Sequence, residues 1–290
     1  MTTLCFEAAN GGISLNGAPF FFKGASYFGM ESDICVPHGL WGGDALTTLA
    51  DVAQILHSNG FNLVRLPLAV SAVVNNILVD RNKIGNEKTL LKSFQWKDLR
   101  YLDVLDYVVH ELQRFDLLVL LDAHVMHPGG DITPLCCDAG HEIPCFWGEN
   151  FQAAGKYPVS LEVKQRLVYC PHVYGPAVAW QPYFNADDFP ENMMFVWDTH
   201  FGLLKQRTDV PLVIGEWGGQ HANPKDWQWQ KRFAEYAQQI GVSGVVYWCV
   251  NPNGGDTDGL LCDDWRTPNT EAFQLLSCFT GTPLPPHPSC

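Results

Sequence analysis

The chain of 290 residues is 47% hydrophobic, 12% aromatic and 17% charged, which supplies a large core and excludes a disordered chain. Its 18 Lys and Arg against 31 Asp and Glu leave a formal charge of −13, so nucleic acid is not expected as a partner. No apolar run approaches the roughly 20 residues of a bilayer span, so a membrane is not expected either, and neutral polymers, sugars and cationic partners remain.

In chain order, short apolar runs alternate with longer amphipathic stretches, the pattern of a parallel α/β fold. The reading gives a strand over 20–24, a helix over 46–58, a strand over 62–66 and a helix over 97–114. A strand over 117–122 follows; its Leu117-Leu-Val-Leu-Leu121 run is continuous enough to be buried on both faces. Residues 125–165 carry neither a convincing strand nor a ten-residue helical pattern. Further strands are expected over 166–170, 211–215 and 244–248, with a looser helix over 187–205 and another over 227–240. One domain is expected over 1–280, and 281–290 reads as a Pro-rich tail or linker stub.

Chemistry gathers at the ends of these strands: Arg65 closes the second, Asp122-Ala-His124 the third, His172-Val-Tyr174 follows the fourth, Glu216-Trp217 follows the fifth and Trp248 ends the sixth. Carboxyl ends of parallel strands are where barrels and open α/β sheets build active sites. Each residue also has a plainer reading: Glu216 as a solvated carboxylate, Arg65 as the partner of any buried acid, His124 and His172 as satisfied core histidines, and Trp248 as core. Their shared placement favours the site. Trp41, Trp147, Trp180 and Trp217 fit sugar-lining and ordinary packing equally well.

Ten scattered cysteines lean towards an oxidising compartment, while the first residues carry neither a basic nor an apolar leader region and read as no signal peptide. His124, His127, Cys136, Cys137, His141 and Cys145 are zinc-ligand types, but their spacing matches no ligand framework, and disulfides account for them better. The loop from Asn251 to Gly259 hints at calcium yet lacks spaced acids and a final glutamate. No phosphate-cradling loop or Gly-x-Ser-x-Gly elbow is present.

Six segments in order resemble glycoside hydrolase family 5, the retaining β-glycanases of the cellulase type. They are Lys23-Gly-Ala-Ser-Tyr-Phe-Gly-Met-Glu31 with Pro37-His-Gly-Leu-Trp41, Gly60-Phe-Asn-Leu-Val-Arg-Leu-Pro67, Leu121-Asp-Ala-His124, Arg166-Leu-Val-Tyr-Cys-Pro-His-Val-Tyr-Gly175, Val213-Ile-Gly-Glu-Trp-Gly-Gly219 and Val246-Tyr-Trp-Cys-Val-Asn251. The resemblance implies a (β/α)₈ TIM barrel, retaining hydrolysis of β-1,4-linked glucan, no cofactor, and a secreted monomer acting on polysaccharide or oligosaccharide. It makes Glu216 the nucleophile and places Arg65, His124, His172, Tyr174 and Trp248 around the sugar. The chemistry agrees with those residue types: a carboxylate forms the glycosyl-enzyme, an arginine holds a carboxylate charged and oriented, and a tryptophan offers its face to pyranose C–H groups.

Retention also needs a general acid about 5–5.5 Å from the nucleophile, which in this family is the glutamate of an Asn-Glu-Pro motif after the fourth strand. The sequence contains no Asn-Glu-Pro. With six strands rather than eight, the barrel is expected to be incomplete, lacking two βα units (on the order of 60 residues) between residues 141 and 146. Activity on cellulose is then expected to be weak or lost, with Glu142 and Glu149 as candidate stand-ins for the acid. The rivals are a catalytically inactive carbohydrate-binding relic and a zinc-dependent protein.

Overall fold

The computed structural model describes residues 4–40, 47–80, 82, 84, 98–130, 143–146 and 148–285. The chain divides into two compact units, a first of Met1–Lys23, Pro134–Tyr247 and Gln274–Cys290, and a second of Gly24–Thr133 and Trp248–Phe273. The strands are β1 (Phe6–Ala9), β2 (Gly12–Leu15), β3 (Ala18–Pro19), β4 (Phe22–Ser26), β5 (Leu63–Ala69), β6 (Leu118–Val125), β7 (His172–Tyr174), β8 (Val213–Gly218) and β9 (Gly244–Trp248). The helices are α1 (Leu49–Ser58), α2 (Val70–Asn75), α3 (Tyr101–Gln113), α4 (Met193–Trp197), α5 (Leu203–Arg207), α6 (Pro224–Gln239) and α7 (Thr270–Leu276).

In the second unit β4, β5 and β6 run parallel, with Ser26 opposite Arg65 and Pro67 opposite Asp122. α1 and α3 supply the crossovers that parallel strands require. α1 starts at Leu49 rather than in the 46–58 stretch's first turn because Thr48 caps it: its hydroxyl accepts from Asp51 N and the Asp51 carboxylate accepts from Thr48 N. α3 presents Val104, Leu105, Val108 and Leu112 to the core at helical spacing. β5 is buried along its whole length, so Arg65 is a charge fixed in an apolar strand. β6 differs from its expectation: Leu120 is 38% exposed and Leu121 56% exposed, although they lie on opposite faces.

In the first unit β7, β8 and β9 run parallel, with His172 opposite Glu216 and Trp217 opposite Tyr247. The strand expected over 166–170 is corrected to His172–Tyr174; residues 164–166 form a 3₁₀ turn and Tyr169 makes only an isolated bridge to Leu212. Pro171 supplies a carbonyl to Gly215 but has no N–H of its own, so the ladder is interrupted there. The helix expected over 187–205 is broken into α4, a π-turn at Asp198–Gly202 and α5. α6 is capped by Asn223 with Pro224 in its first turn, and its Trp229 and Phe233 rings stack 5.2 Å apart in the aromatic core. The β1–β2–β3 antiparallel ribbon was not foreseen; its turns are Asn10-Gly11 and Asn16-Gly17, all four at positive φ, the backbone that two-residue hairpins demand.

Candidate active site

In the second unit, alternation along β6 puts Asp122 and His124 on one face. The Asp122 carboxylate Oδ2 accepts from Arg65 Nη2 at 2.8 Å and lies 2.8 Å from His124 Nδ1. Arg65 also donates to Ser26 Oγ at 3.1 Å from the neighbouring strand. The His124 and Trp248 rings stack 5.9 Å apart, and the Arg65 guanidinium stands 5.9 Å from the centre of the Trp248 ring. Arg65, His124 and Trp248 are therefore brought together, with Asp122 as the hinge between two of them.

Burial raises the Glu31 carboxyl above the ordinary range, opposed by the Gly29 N–H and, more weakly, by the nearby His124 and Arg65 side chains. Gly29, at φ +134°, is pressed so closely on the His38 and Val36 backbone that a Cβ would sit 2.5 Å from it. Burial holds the His38 imidazole down at about 4. Asn251 is buried and exchanges hydrogen bonds with the Phe28 main chain, which anchors the loop after β9.

In the first unit, pairing of β7 with β8 sets His172 beside Glu216, and Tyr174, two residues on, reaches the same carboxylate. The Tyr174 hydroxyl donates to Glu216 Oε2 at 2.8 Å, and His172 Nδ1 lies 3.5 Å from that oxygen; Glu216 is only 3% exposed. Buried Asp226, in the first turn of α6, accepts from Ala177 N and Gln220 N and so ties the segments after β7 and β8 together. Gly175 and Gly219 leave the room it needs, for a Cβ on either would collide with its carboxylate. Glu216, His172 and Tyr174 are thus brought together as expected from their strand ends.

Glu149, a candidate stand-in for the general acid, is buried, accepts from Phe146 N at 2.9 Å through Oε2 and has Oε1 3.1 Å from His200 Nδ1. Each of its carboxylate oxygens thus faces a partner, Phe146 N and His200 Nδ1. Glu142 lies outside the described residues, as do Trp41, Trp147 and, of the Cys/His stretch, Cys136, Cys137 and His141. Cys145 is disulfide-bonded, which removes it as a zinc ligand, and no group of three metal-ligating side chains is gathered among the described residues. Trp217 is core, against Phe233 and Tyr247, while Trp180 is exposed. The sequence reading assigned no role to Asp122, Glu31 or Asp226; the Asp-x-His alternation at the end of β6 is the signal that marks the first of these.

The family model for cellulase (glycosyl hydrolase family 5) matches residues 13–135 and 138–254. The chain is similar to the major extracellular endoglucanase of Xanthomonas campestris pv. campestris, 38% identical over 343 aligned positions that cover 90% of this chain and 68% of that protein. Its fold matches the hyperthermophilic endocellulase of the archaeon Pyrococcus horikoshii with a TM-score of 0.82 at 23% identity, over 94% of this chain and 97% of that one. A cellotetraose complex of a variant of the same endocellulase matches with a TM-score of 0.81 at 24% identity and the same coverage of both chains. The fold class is the (β/α)₈ barrel, of which the described residues form six parallel strands.

Proposed function

We propose, from the premise that the chain belongs to the cellulase family of glycosyl hydrolases, family 5, that Glu216 is the nucleophile of a retaining attack on β-1,4-linked glucan and that the acid due to face it was lost with about two βα units. In the first step a Glu216 oxygen bonds to the anomeric carbon while the bond to the leaving oxygen breaks. Tyr174 and His172 hold the attacking carboxylate, and Arg65, Asp122, His124 and Trp248 serve sugar binding. The observation that carries this assignment is the Tyr174 hydroxyl on the Glu216 carboxylate at the end of β8.

Three observations support the loss. The family match is interrupted at residues 136–137, a few residues before the expected junction. The 343 aligned positions with the Xanthomonas protein contain 90% of 290 residues, about 261, which leaves roughly 80 positions this chain does not fill. Two βα units account for about 60 of those. Leu120 and Leu121 of β6 are exposed where the next unit of a complete barrel would cover them.

The consequence falls on the leaving group. An alcohol leaves slowly unless protonated, and general acid catalysis is worth about 10²–10⁴ in rate, so cellulose is turned over weakly, whereas an aryl group of low pKa leaves unaided. No cofactor enters this chemistry, and by its likeness to an extracellular endoglucanase the chain is read as secreted, acting as a monomer.

The test is to treat the protein with dinitrophenyl 2-deoxy-2-fluoro-β-cellobioside and map the modified peptide by mass spectrometry. The label is expected on Glu216 and absent from Glu216→Gln; a label elsewhere overturns the assignment. Cellotetraose binding with no label at all selects the carbohydrate-binding relic instead.

A further inference from the structure

We infer that Glu149 is a positioning residue for the nucleophile, acting through the one turn that braces both His172 and Tyr174. The inference rests on the reading of Glu216 as nucleophile. Glutamate is almost never fully buried without a partner, yet Glu149 is 2% exposed and faces His200, which is 0% exposed. Neither His200 ring nitrogen makes a hydrogen bond among the described residues, so the Glu149 carboxylate, 3.1 Å away, is the charge it faces. The Tyr183 ring lies 6.4 Å from the His200 ring; burial first, and the Glu149 charge second, raise its hydroxyl pKa.

The carboxylate's other oxygen accepts from Phe146 N, closing the turn that holds Phe146 and Gly148. Both of those residues touch the site. The Phe146 ring packs edge-on against the Tyr174 ring at 5.0 Å, and the Gly148 carbonyl accepts from His172 N at 3.1 Å. Gly148, at φ +78°, lies against the His172 ring so closely that a Cβ would come within 3.3 Å of it. Phe151 N donates to the His200 carbonyl at 2.7 Å inside the π-turn, which ties the far side of the turn to the same histidine. His172 and Tyr174 are both set against Glu216. Glu149 therefore touches no reacting atom, but its carboxylate fixes the backing of both residues that orient the one that does.

The test compares the full chain with Glu149→Ala and Glu149→Gln, using the fluoro-cellobioside label and ¹⁵N imidazole shifts of His172. Glu149→Ala is expected to lower the labelling rate constant at saturation by about tenfold or more while the half-saturating concentration changes less than about twofold, because misplacement by a fraction of an ångström acts on the chemical step. The His172 shifts are expected to move, and Glu149→Gln, which keeps an acceptor for Phe146 N, is expected to restore most of the rate. A folded Glu149→Ala with wild-type labelling and unmoved His172 shifts overturns the inference. So does an equal loss in both variants that tracks an equal loss of melting temperature. If the wild-type chain is not labelled, the nucleophile reading fails by itself, and the His172 shifts still decide: movement supports the coupling and constancy refutes it. Where Glu149→Ala does not fold, Phe146→Leu and His200→Gln, each removing one side of the linkage, carry the same outcomes.

Discussion

At the scale of single residues, a hydrogen bond to a charged acceptor is worth about 1.5–3 kcal/mol, so the phenol on Glu216 is a sizeable part of how that carboxylate is held. Tyr174→Phe is therefore expected to slow labelling of Glu216 by roughly 10–100-fold with little change in melting temperature. An unchanged rate in stopped-time mass spectrometry would remove Tyr174 from the site. His38 makes a prediction about pH. Its pKa of about 4 in the folded chain, against 6.5 ordinarily, means the unfolded chain takes up the proton first. Its contribution to stability is whole above about pH 6.5 and is lost as pH falls towards 4. Melting temperature should fall over that window and fall less in His38→Asn. Glu31, raised by burial, acts in the opposite sense: what it contributes is present at low pH and lost as pH rises through its folded value. Arg65, His124, His172, Tyr174, Glu216 and Trp248 were legible because strand ends put them there; Asp122 joins Arg65 to His124 only once β5 and β6 are in register, which no local pattern states.

Among the elements, β6 departs most from its sequence pattern. A run of five apolar residues reads as a strand covered on both sides, and the period is right, but Leu121 stands 56% exposed. Leu121→Lys is therefore expected to cost less than about 0.5 kcal/mol in chemical denaturation and to reduce self-association; in a covered strand the same change costs several kcal/mol. A large loss of stability would mean that β6 is covered after all. Other elements were missed for local reasons. The hairpins are written in Asn10-Gly11 and Asn16-Gly17, but two- to four-residue strands offer too little alternation to stand out. Pro171 displaced the fourth parallel strand, and the π-turn at Asp198–Gly202 interrupted an apolar pattern that a regular helix would have kept in phase.

For the whole molecule, the family and its barrel were legible because six strand-end segments occur in order; the nucleophile and the lost acid are proposals drawn from Glu216 in the fifth of those segments and from the missing Asn-Glu-Pro motif. Under the proposed loss of the acid, the chain would separate two steps that an intact retaining hydrolase couples. Glycosylation by an activated aryl cellobioside needs no acid, but release of the sugar by water needs a base, so the glycosyl-enzyme should accumulate. Azide, an anion that attacks without losing a proton, bypasses that need. The decisive measurement is turnover of dinitrophenyl β-cellobioside with and without azide, beside that of cellotetraose. The account predicts that azide accelerates aryl-glycoside turnover and yields β-cellobiosyl azide, with cellotetraose cleaved about 10²–10⁴-fold more slowly than by the Xanthomonas endoglucanase. Cellotetraose cleavage at the relative's rate, indifferent to azide and abolished in Glu216→Gln, would contradict it, because a proton donor would then be present within these 290 residues.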